Sequence, residues 1–587
     1  SVNAPFNFAV MRIALAQQNY HIGNFESNTK KIISAIEQAK KEGAELVVFS
    51  ELSICGYPPR DFLEFDDFIN RCYASVDAIR QHTEGIGVII GAPQKNLDAS
   101  GKELFNAAWL LYNREVLGVA QKTLLPTYDV FDEYRYFEPA FEWNTILFKG
   151  HRIALTVCED LWNLGDNPLY RVCPMDILVK QQPDIMINIS ASPFDYDHDE
   201  DRKEVIKANV LKYGLPLVYC NAVGSQTEIV FDGGSLVYDA KGNLLKELEY
   251  FEEAFCVMDI TVTNLQQEQQ ADTGDSKPAI ISAETDNEMR VSKVNDPNRI
   301  IDFLTAGNNI RQIHQALILG IRDYFIKMGF SKAILGSSGG IDSAVVLALA
   351  CEALDAENVH AVLMPSPFST GHSVKDAEQL SKTLGNPFDI IPIENLYNSF
   401  ITSLKPLFKD LPFSVAEENI QSRSRGNLLM AIANKFGYIL LNTSNKSELA
   451  TGYGTLYGDM AGGLSVLGDV YKTQVYALAK YINRHKEIIP LHIISKAPSA
   501  ELRPNQKDSD SLPDYDILDK VLYQYIEKRQ GPKEIMAMGI DPALVNRVLK
   551  LVNINEYKRN QFCPVIRVSS KAFGVGRRMP IVGKYLS

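Results

Sequence analysis

The run from Asn264 to Pro297 constrains this chain most. It contains LQQEQQADTGDSKP, is polar and biased, and carries few large apolar residues. The hydrophobic pattern is strong on both sides of it. A chain of 587 residues is too long for one core. The polar run therefore reads as a linker or long surface excursion between two separately patterned halves. A solvated helix capping the first half is the competing reading. The expected domains are 11–263 and 300–587, with 264–299 as the linker.

The first half opens with the strand pattern MRIALAQQNY. A helix is expected over Asn28 to Glu42, then the strand AELVVFSEL. Further strands read GVIIGAP, AAWLLYN, RIALTVCED, DIMINISAS and LVYCNAVGS, and GGSLVYDAKGNLL alternates around the turn KGN. Repeated strands with intervening helices indicate a β-rich α/β domain. In the second half the helical period of NNIRQIHQALILGIRDYFIKMG leads to the strand KAILG and an apolar helix from Ser343. NVHAVLMPS, FDIIPI and GYILLNTSN then supply strands between helices. That alternation predicts a doubly wound parallel sheet.

Glu51, Lys122 and Cys158 each stand at a predicted strand end, in VVFSELSICGY, VAQKTLLPTYDVFDEYRYF and IALTVCEDLW. Polar groups at strand ends converge on one rim of a sheet. A carboxylate can take a thiol proton, and the thiolate can attack an amide carbonyl. A nearby cation lowers the thiol pKa and stabilises the oxyanion. The carboxylic acid can then protonate departing ammonia and later activate water. Taken singly, each residue is ordinary core or surface. Together they resemble the nitrilase superfamily over most of residues 11–263, with CEDLW and LPTYDVFDEYRYF similar to its glutamine amidotransferase branch. The resemblance implies a nitrilase-like αββα sandwich with Glu51 as base, Lys122 as oxyanion stabiliser and Cys158 as nucleophile. It implies Glu133 as an additional carboxylate orienting the lysine. Tyr128, Ser192 and His198 fall where related enzymes hold glutamine, with Ser190 and Arg202 nearby.

The second constellation is AILGSSGGIDSAVVLALA. Gly336, Gly339 and Gly340 permit tight backbone approach. Ser337, Ser338 and Ser343 offer hydroxyls around Ile341 and Asp342, and the following helix presents free N–H groups and its positive dipole end to an anion. A Walker loop would end in Gly-Lys-Ser/Thr. Here Asp342 stands where that lysine would be, and it would repel bare phosphate. Mg²⁺ bridging the aspartate to a polyphosphate resolves the conflict. An unliganded Gly/Ser turn is the plain alternative. SGGxDS after a strand resembles the loop of the N-type ATP pyrophosphatases, whose Rossmann-like members form AMP adducts and release pyrophosphate.

The stretch EENIQSRSRGNLLMAIANKFGYILLNTSNKSELATGYGTLYGDMAGG resembles the NAD synthetases from about Ile300 onward. The resemblance implies Asn419 and Arg423 near the nicotinate-side nucleotide, Thr443, Lys472 and Ser499 as ATP contacts, and Lys571 as a deamido-NAD contact. It places Glu448 at the Mg²⁺ and deamido-NAD site, with Asp342 the other metal ligand. Leu456 and Gly463 depart from the lysine and aspartate of the shorter, ammonia-using members, which bears on the detailed deamido-NAD contacts.

A glutaminase makes ammonia, and an adenylating domain makes an electrophile that ammonia attacks. Fusion raises the effective concentration of a nucleophile easily lost. A dry passage between the sites would keep it neutral, and such ammonia channelling is expected here. The combination resembles the glutamine-dependent NAD synthetases, which implies glutamine, ATP and deamido-NAD as substrates and a homo-oligomer, dimer to octamer. Two rivals stay open. One is an ATP-dependent amidotransferase acting on another carboxylated nucleotide or cofactor. The other is a noncatalytic metabolite-binding scaffold, against which the retained Glu51, Lys122, Cys158, Asp342 and Glu448 argue, because a sensor needs no nucleophile.

Bulk composition narrows the setting. Hydrophobic residues at 46% and charged residues at 22% are an ordinary globular balance. A net charge of -13 argues against nonspecific nucleic-acid or membrane-surface binding. Anionic ligands must then be held by local groups. Eight scattered cysteines, without a CxxC pair, give no zinc or disulfide framework and fit a reducing cytosol. No signal peptide or membrane-spanning run is found, so a cytoplasmic enzyme is expected. The leading SVNA reads as an appended remnant.

Overall fold

The computed structural model describes residues 9–98, 100–164, 170–196, 198–262, 296, 298–499, 501–503, 508 and 512–586, without the side chains of 198–200. The linker expected over 264–299 falls almost wholly outside them. Two compact units divide the chain: Ser1–Phe194 with His198–Ala279, and Asp195–Asp197 with Ile280–Ser587.

In the first unit, β1 (Ala9–Gln17), β2 (Leu46–Val48), β3 (Gly87–Lys95), β4 (Leu104–Tyr112) and β5 (Glu115–Gln121) belong to one sheet. A second sheet takes β6 (Ile146–Phe148), β7 (His151–Val157), β8 (Ile185–Ser190) and β9 (Leu217–Asn221). After the ribbon of β10 (Val223–Gln226) and β11 (Ile229–Asp232), β12 (Leu236–Tyr238) and β13 (Leu244–Glu247) extend that second sheet, and β14 (Ala254–Val262) returns to the first. The orders are β14-β1-β2-β3-β4-β5 and β13-β12-β9-β8-β7-β6.

Side-chain alternation explains the layering. Ile13 and Leu15 of β1 enter one core with Leu155 and Val157 of β7 and Ile187 and Ile189 of β8. This core lies between the sheets. Ala14 and Ala16 point the other way, to a core that holds Ile32 and Ile36 of the helix Phe25–Lys41 and Cys72 and Val76 of the helix Asp66–Arg80. On the far face of the second sheet, Ala154 and Met186 meet Ile206 and Val210 of the helix His198–Tyr213. The result is the expected αββα sandwich.

Three local expectations change. The first helix starts at Phe25 because the Asn24 side chain caps it, accepting from Ser27 N at 3.2 Å. The strand expected through AELVVFSEL stops at Val48, after which the chain turns onto β3. LVYCNAVGS is two strands that pair in different sheets, broken at Ala222.

The second unit holds β15 (Ala333–Gly336), β16 (Val359–Leu363), β17 (Phe388–Ile390), β18 (Ile439–Asn442) and β19 (Leu464–Ser465). Every pair is parallel, and the order is β17-β16-β15-β18-β19. The chain moves outward from β15 one way and then the other. The end of β15 is therefore a topological switch point, where crossovers diverge and leave a crevice. The apolar helix Ile341–Leu354 packs directly behind it and is buried on nearly all sides. No described helix is long and apolar enough to cross a membrane.

Candidate active sites

In the first unit the charged groups gather at the strand ends. Past β2 the chain crosses Gly91 of β3, where a Cβ would overlap the Leu52 nitrogen. That close approach carries Glu51 inward. Lys122, just past β5, is fully buried, with Nζ 2.8 Å from Glu51 Oε1 and 2.7 Å from Glu133 Oε1. Asn106 Nδ2 donates to Glu51 Oε1 at 2.7 Å and to Glu133 Oε2 at 3.3 Å. Ala191 N donates to Glu51 Oε2 at 2.9 Å, and Tyr57 OH to Glu133 Oε1 at 2.8 Å.

Cys158 follows β7 at φ 43°, a left-handed conformation costing about 1–3 kcal/mol for a residue with a Cβ. Asp160 holds that turn. It accepts from Val157 N at 3.1 Å, and from Thr123 N and Leu124 N at 2.9 Å each. One carboxylate thus fixes both the cysteine turn and the chain leaving Lys122. Burial pushes Asp160 up to about 6 in spite of these bonds.

Electrostatics corrects one expectation. The Cys158 thiol is held well above its ordinary value, first by burial and then by Glu51. Lys122 pulls it down, as expected, but burial and the Glu51 charge outweigh it. Burial would lower Lys122, yet Glu133 and Glu51 raise it. Burial pushes Glu133 up to about 7, with Lys122 opposing and Glu51 adding to the rise. Burial and Glu51 thus favour the protonated thiol at rest, and proton transfer would accompany attack.

Tyr128 OH donates to Glu159 Oε1 at 3.0 Å, beside the cysteine, and Tyr170 OH to the same oxygen at 2.9 Å. Ser192 is buried and donates its N–H to Asn221 Oδ1 at 2.9 Å. Ser190 Oγ donates to Asn188 Oδ1 at 2.7 Å. Arg202 makes a two-pronged pair with Asp232, 2.8 Å on each side. His198 opens its helix, and its side chain lies outside the described residues. Asn106, Tyr57, Asp160 and Glu159 were not singled out by sequence. CED contains two of them, whereas Asn106 lies inside an ordinary-looking strand.

In the second unit a cavity of about 560 Å³ opens beyond β15, β16 and β18. Gly336, Ser337, Ser338, Gly340, Ile341, Asp342 and Ser343 line it, as do Asn419, Arg423, Thr443, Glu448, Leu456, Lys472 and Ser499. Gly339 underpins the loop at φ 77°, where a Cβ would overlap the Ser373 carbonyl. Lys571 does not line the cavity; its carbonyl accepts from Lys446 Nζ at 3.0 Å. Gly463 donates to Leu440 O at 2.7 Å, as part of the backbone beside β18.

Asp342 meets its cation directly. Lys472 Nζ lies 2.5 Å from Asp342 Oδ2 and 3.7 Å from Glu448 Oε1, and Asn445 Nδ2 donates to Asp342 Oδ1 at 2.9 Å. Burial, then the Asp342 charge, pushes Glu448 up to about 8 against the pull of Lys472. Two crowded carboxylates beside a phosphate loop form a donor set that suits Mg²⁺, which takes one or two carboxylates plus substrate phosphates. Among the described residues no group of three or more His, Cys, Asp or Glu could hold a metal unaided.

Fold and charge together define a class: a carbon–nitrogen hydrolase followed by a nucleotide-using synthase in one chain. The Carbon-nitrogen hydrolase family model matches residues 12–270 and the NAD synthase model residues 313–562. A glutamine-dependent NAD(+) synthetase of Synechocystis sp. is 42% identical, covering 97% of this chain and 98% of the relative. That of Thermotoga maritima is 39% identical, covering 98% and 99%. The solved structure of the Acinetobacter baumannii glutamine-dependent NAD+ synthetase in complex with ADP is 36% identical, with a TM-score of 0.72 over 98% of this chain and 99% of that one. The chain belongs to the glutamine-dependent NAD(+) synthetases.

Proposed function

We propose the following division of labour within this ligase. Glu51 takes the Cys158 proton as Sγ attacks the side-chain amide of glutamine, and Lys122 stabilises the oxyanion. The tetrahedral intermediate collapses to a thioester as Glu51 returns the proton to departing ammonia. Glu51 then activates water, which releases glutamate. Glu133 and Asn106 position Lys122 and Glu51. Tyr128, Ser192 and His198 are assigned to glutamine.

In residues 300–587 the loop Gly336–Ser343, with Thr443, Lys472 and Ser499, holds ATP. The nicotinate carboxylate of deamido-NAD attacks the α-phosphorus, pyrophosphate leaves, and ammonia displaces AMP to give NAD. Asn419, Arg423 and Glu448, which line the cavity, are assigned to deamido-NAD, and Lys571, which does not line it, is assigned there on resemblance alone. Asp342 and Glu448 would hold Mg²⁺, which supplies charge neutralisation at the phosphates when bound. The observation that carries this reading is the charge assembled at each sheet end: Lys122 between Glu51 and Glu133, and Lys472 between Asp342 and Glu448.

The test is Cys158→Ala. Glutamine-supported NAD formation should fall at least about 10³-fold, while ammonium-supported formation stays near wild type. Loss of both in a folded variant would refute the assignment. We also expect a homo-oligomer acting in the cytosol. Leu407, Leu411, Phe413 and Val415, close together in sequence, are exposed apolar side chains of the kind that association covers. Light scattering should give a dimer or a larger multiple, up to an octamer, of the 65.6 kDa chain, and a monomer at assay concentration would exclude it.

A further inference from the structure

Among the described residues, five cationic side chains line the synthase cavity: Arg423, Arg425, Lys472, Lys496 and Lys558. Three are committed. Lys472 serves Asp342 and Glu448, Lys496 pairs with Glu501 at 2.6 Å, and Lys558 donates to the carbonyls of Gly452 and Gly454 at 2.8 and 2.9 Å. Arg423 is exposed, so water solvates its charge. Arg425 differs from all of these. It is part-buried, its Nε donates to Met364 O at 3.0 Å, and it makes no ion pair among the described residues. Burial pulls it down to about 10, and the more distant Asp459 and Glu501 offset this only in part. A guanidinium partly removed from water without a direct ion-pair partner is costly. On the wall of a cavity it is satisfied by an anionic ligand.

Its place narrows which anion. Met364 directly follows β16, and Ser337 N bonds Val362 O in the same strand at 2.9 Å. The Ser337 hydroxyl is buried and has no partner within the protein. Arg425 and Ser337 thus meet the β16 flank of the phosphate loop. Lys472, Asp342 and Glu448 gather on the β18 flank, because Asn445, just past β18, holds Asp342. One flank already has the cation assigned above to ATP and the carboxylates assigned to Mg²⁺. The other has a guanidinium that no carboxylate pairs with directly among the described residues.

We propose that Arg425 is a catalytic residue of adenylation, binding the α-phosphate that stays with AMP. This rests on the division of labour above. As a carboxylate oxygen of the nicotinate forms its bond to the α-phosphorus, the bond from phosphorus to the bridging oxygen breaks. The electron pair leaves with pyrophosphate. Charge meanwhile spreads over the non-bridging α-oxygens, and a planar guanidinium fork suits two of them.

The experiment compares wild type, Arg425→Gln and Arg425→Lys with ammonium as nitrogen donor. Wild type must first form NAD, AMP and pyrophosphate from deamido-NAD and ATP. Its failure would overturn the division of labour itself. With wild type active, Arg425→Gln should lower kcat about 100-fold or more while leaving the ATP KM within roughly fivefold. Arg425→Lys should recover part of the loss. Calorimetry supplies a readout that a merely structural role would not move. Wild type should bind AMP more tightly than adenosine, and both variants should narrow that ratio about tenfold. An unchanged AMP-to-adenosine ratio, or a folded Arg425→Gln with near-normal kcat, would overturn the role of Arg425. If Arg425→Gln does not fold, the same two measurements on Arg425→Lys decide it.

Discussion

At the scale of residues, Glu51 has both carboxylate oxygens engaged, by Lys122, Asn106 and the Ala191 N–H. Removing Asn106 should leave two carboxylates crowding one ammonium. Asn106→Leu is expected to lower glutamine turnover roughly 10–100-fold, with ammonium-supported synthesis unchanged. Glu133, pushed up to about 7 by burial, sets a pH limb. Glutaminase kcat/KM should rise through about pH 7 as Glu133 ionises and completes the grip on Lys122. The neutral isostere Glu133→Gln should lose that limb, and a variant that keeps it would place the titration elsewhere. Stability runs the opposite way. The folded state keeps this proton from its ordinary 4.5 up to about 7, so this group's contribution falls as pH rises across that window. Much of this site was legible in the sequence because Glu51, Lys122 and Cys158 sit at strand ends, where side chains leave the core. Asn106 was not, since strand periodicity says nothing about a polar residue whose partners arrive from distant segments. The pull of Lys122 on the thiol was legible, whereas the net rise was not, because burial and the Glu51 charge that outweigh it depend on the packed site.

At the scale of elements, the phosphate loop depends on one backbone contact. Gly339 at φ 77° lies against the Ser373 carbonyl with no room for a methyl group. Gly339→Ala should abolish ATP-dependent AMP formation, by about 100-fold or more, through displacement of the loop. Near-normal AMP release would show that the loop tolerates another course. Alternation and strand–helix rhythm made the sandwich and the parallel sheet readable from sequence. Lengths were less readable. β2 is cut short because the Gly91 crossing redirects the chain, and a contact between β3 and the segment after β2 has no local signature.

At the scale of the whole molecule, each unit has its own core, so unfolding of the chain need not be two-state. Calorimetry is expected to resolve two transitions. On the division of labour proposed above, ATP at 100 times its Kd should stabilise one of them by about 2.7 kcal/mol and leave the other in place. A single transition moving as a whole would mean that the cores do not melt independently. The net charge of -13 sharpens the role of local cations such as Lys472 and Arg425, since no global field recruits phosphate. One feature of the resting glutaminase also reaches beyond catalysis. Peroxides and disulfides attack thiolates, not thiols. A nucleophile kept protonated until an amide arrives offers oxidants little to react with. In this maker of a redox cofactor, that chemistry would spare the nucleophile from oxidation between turnovers.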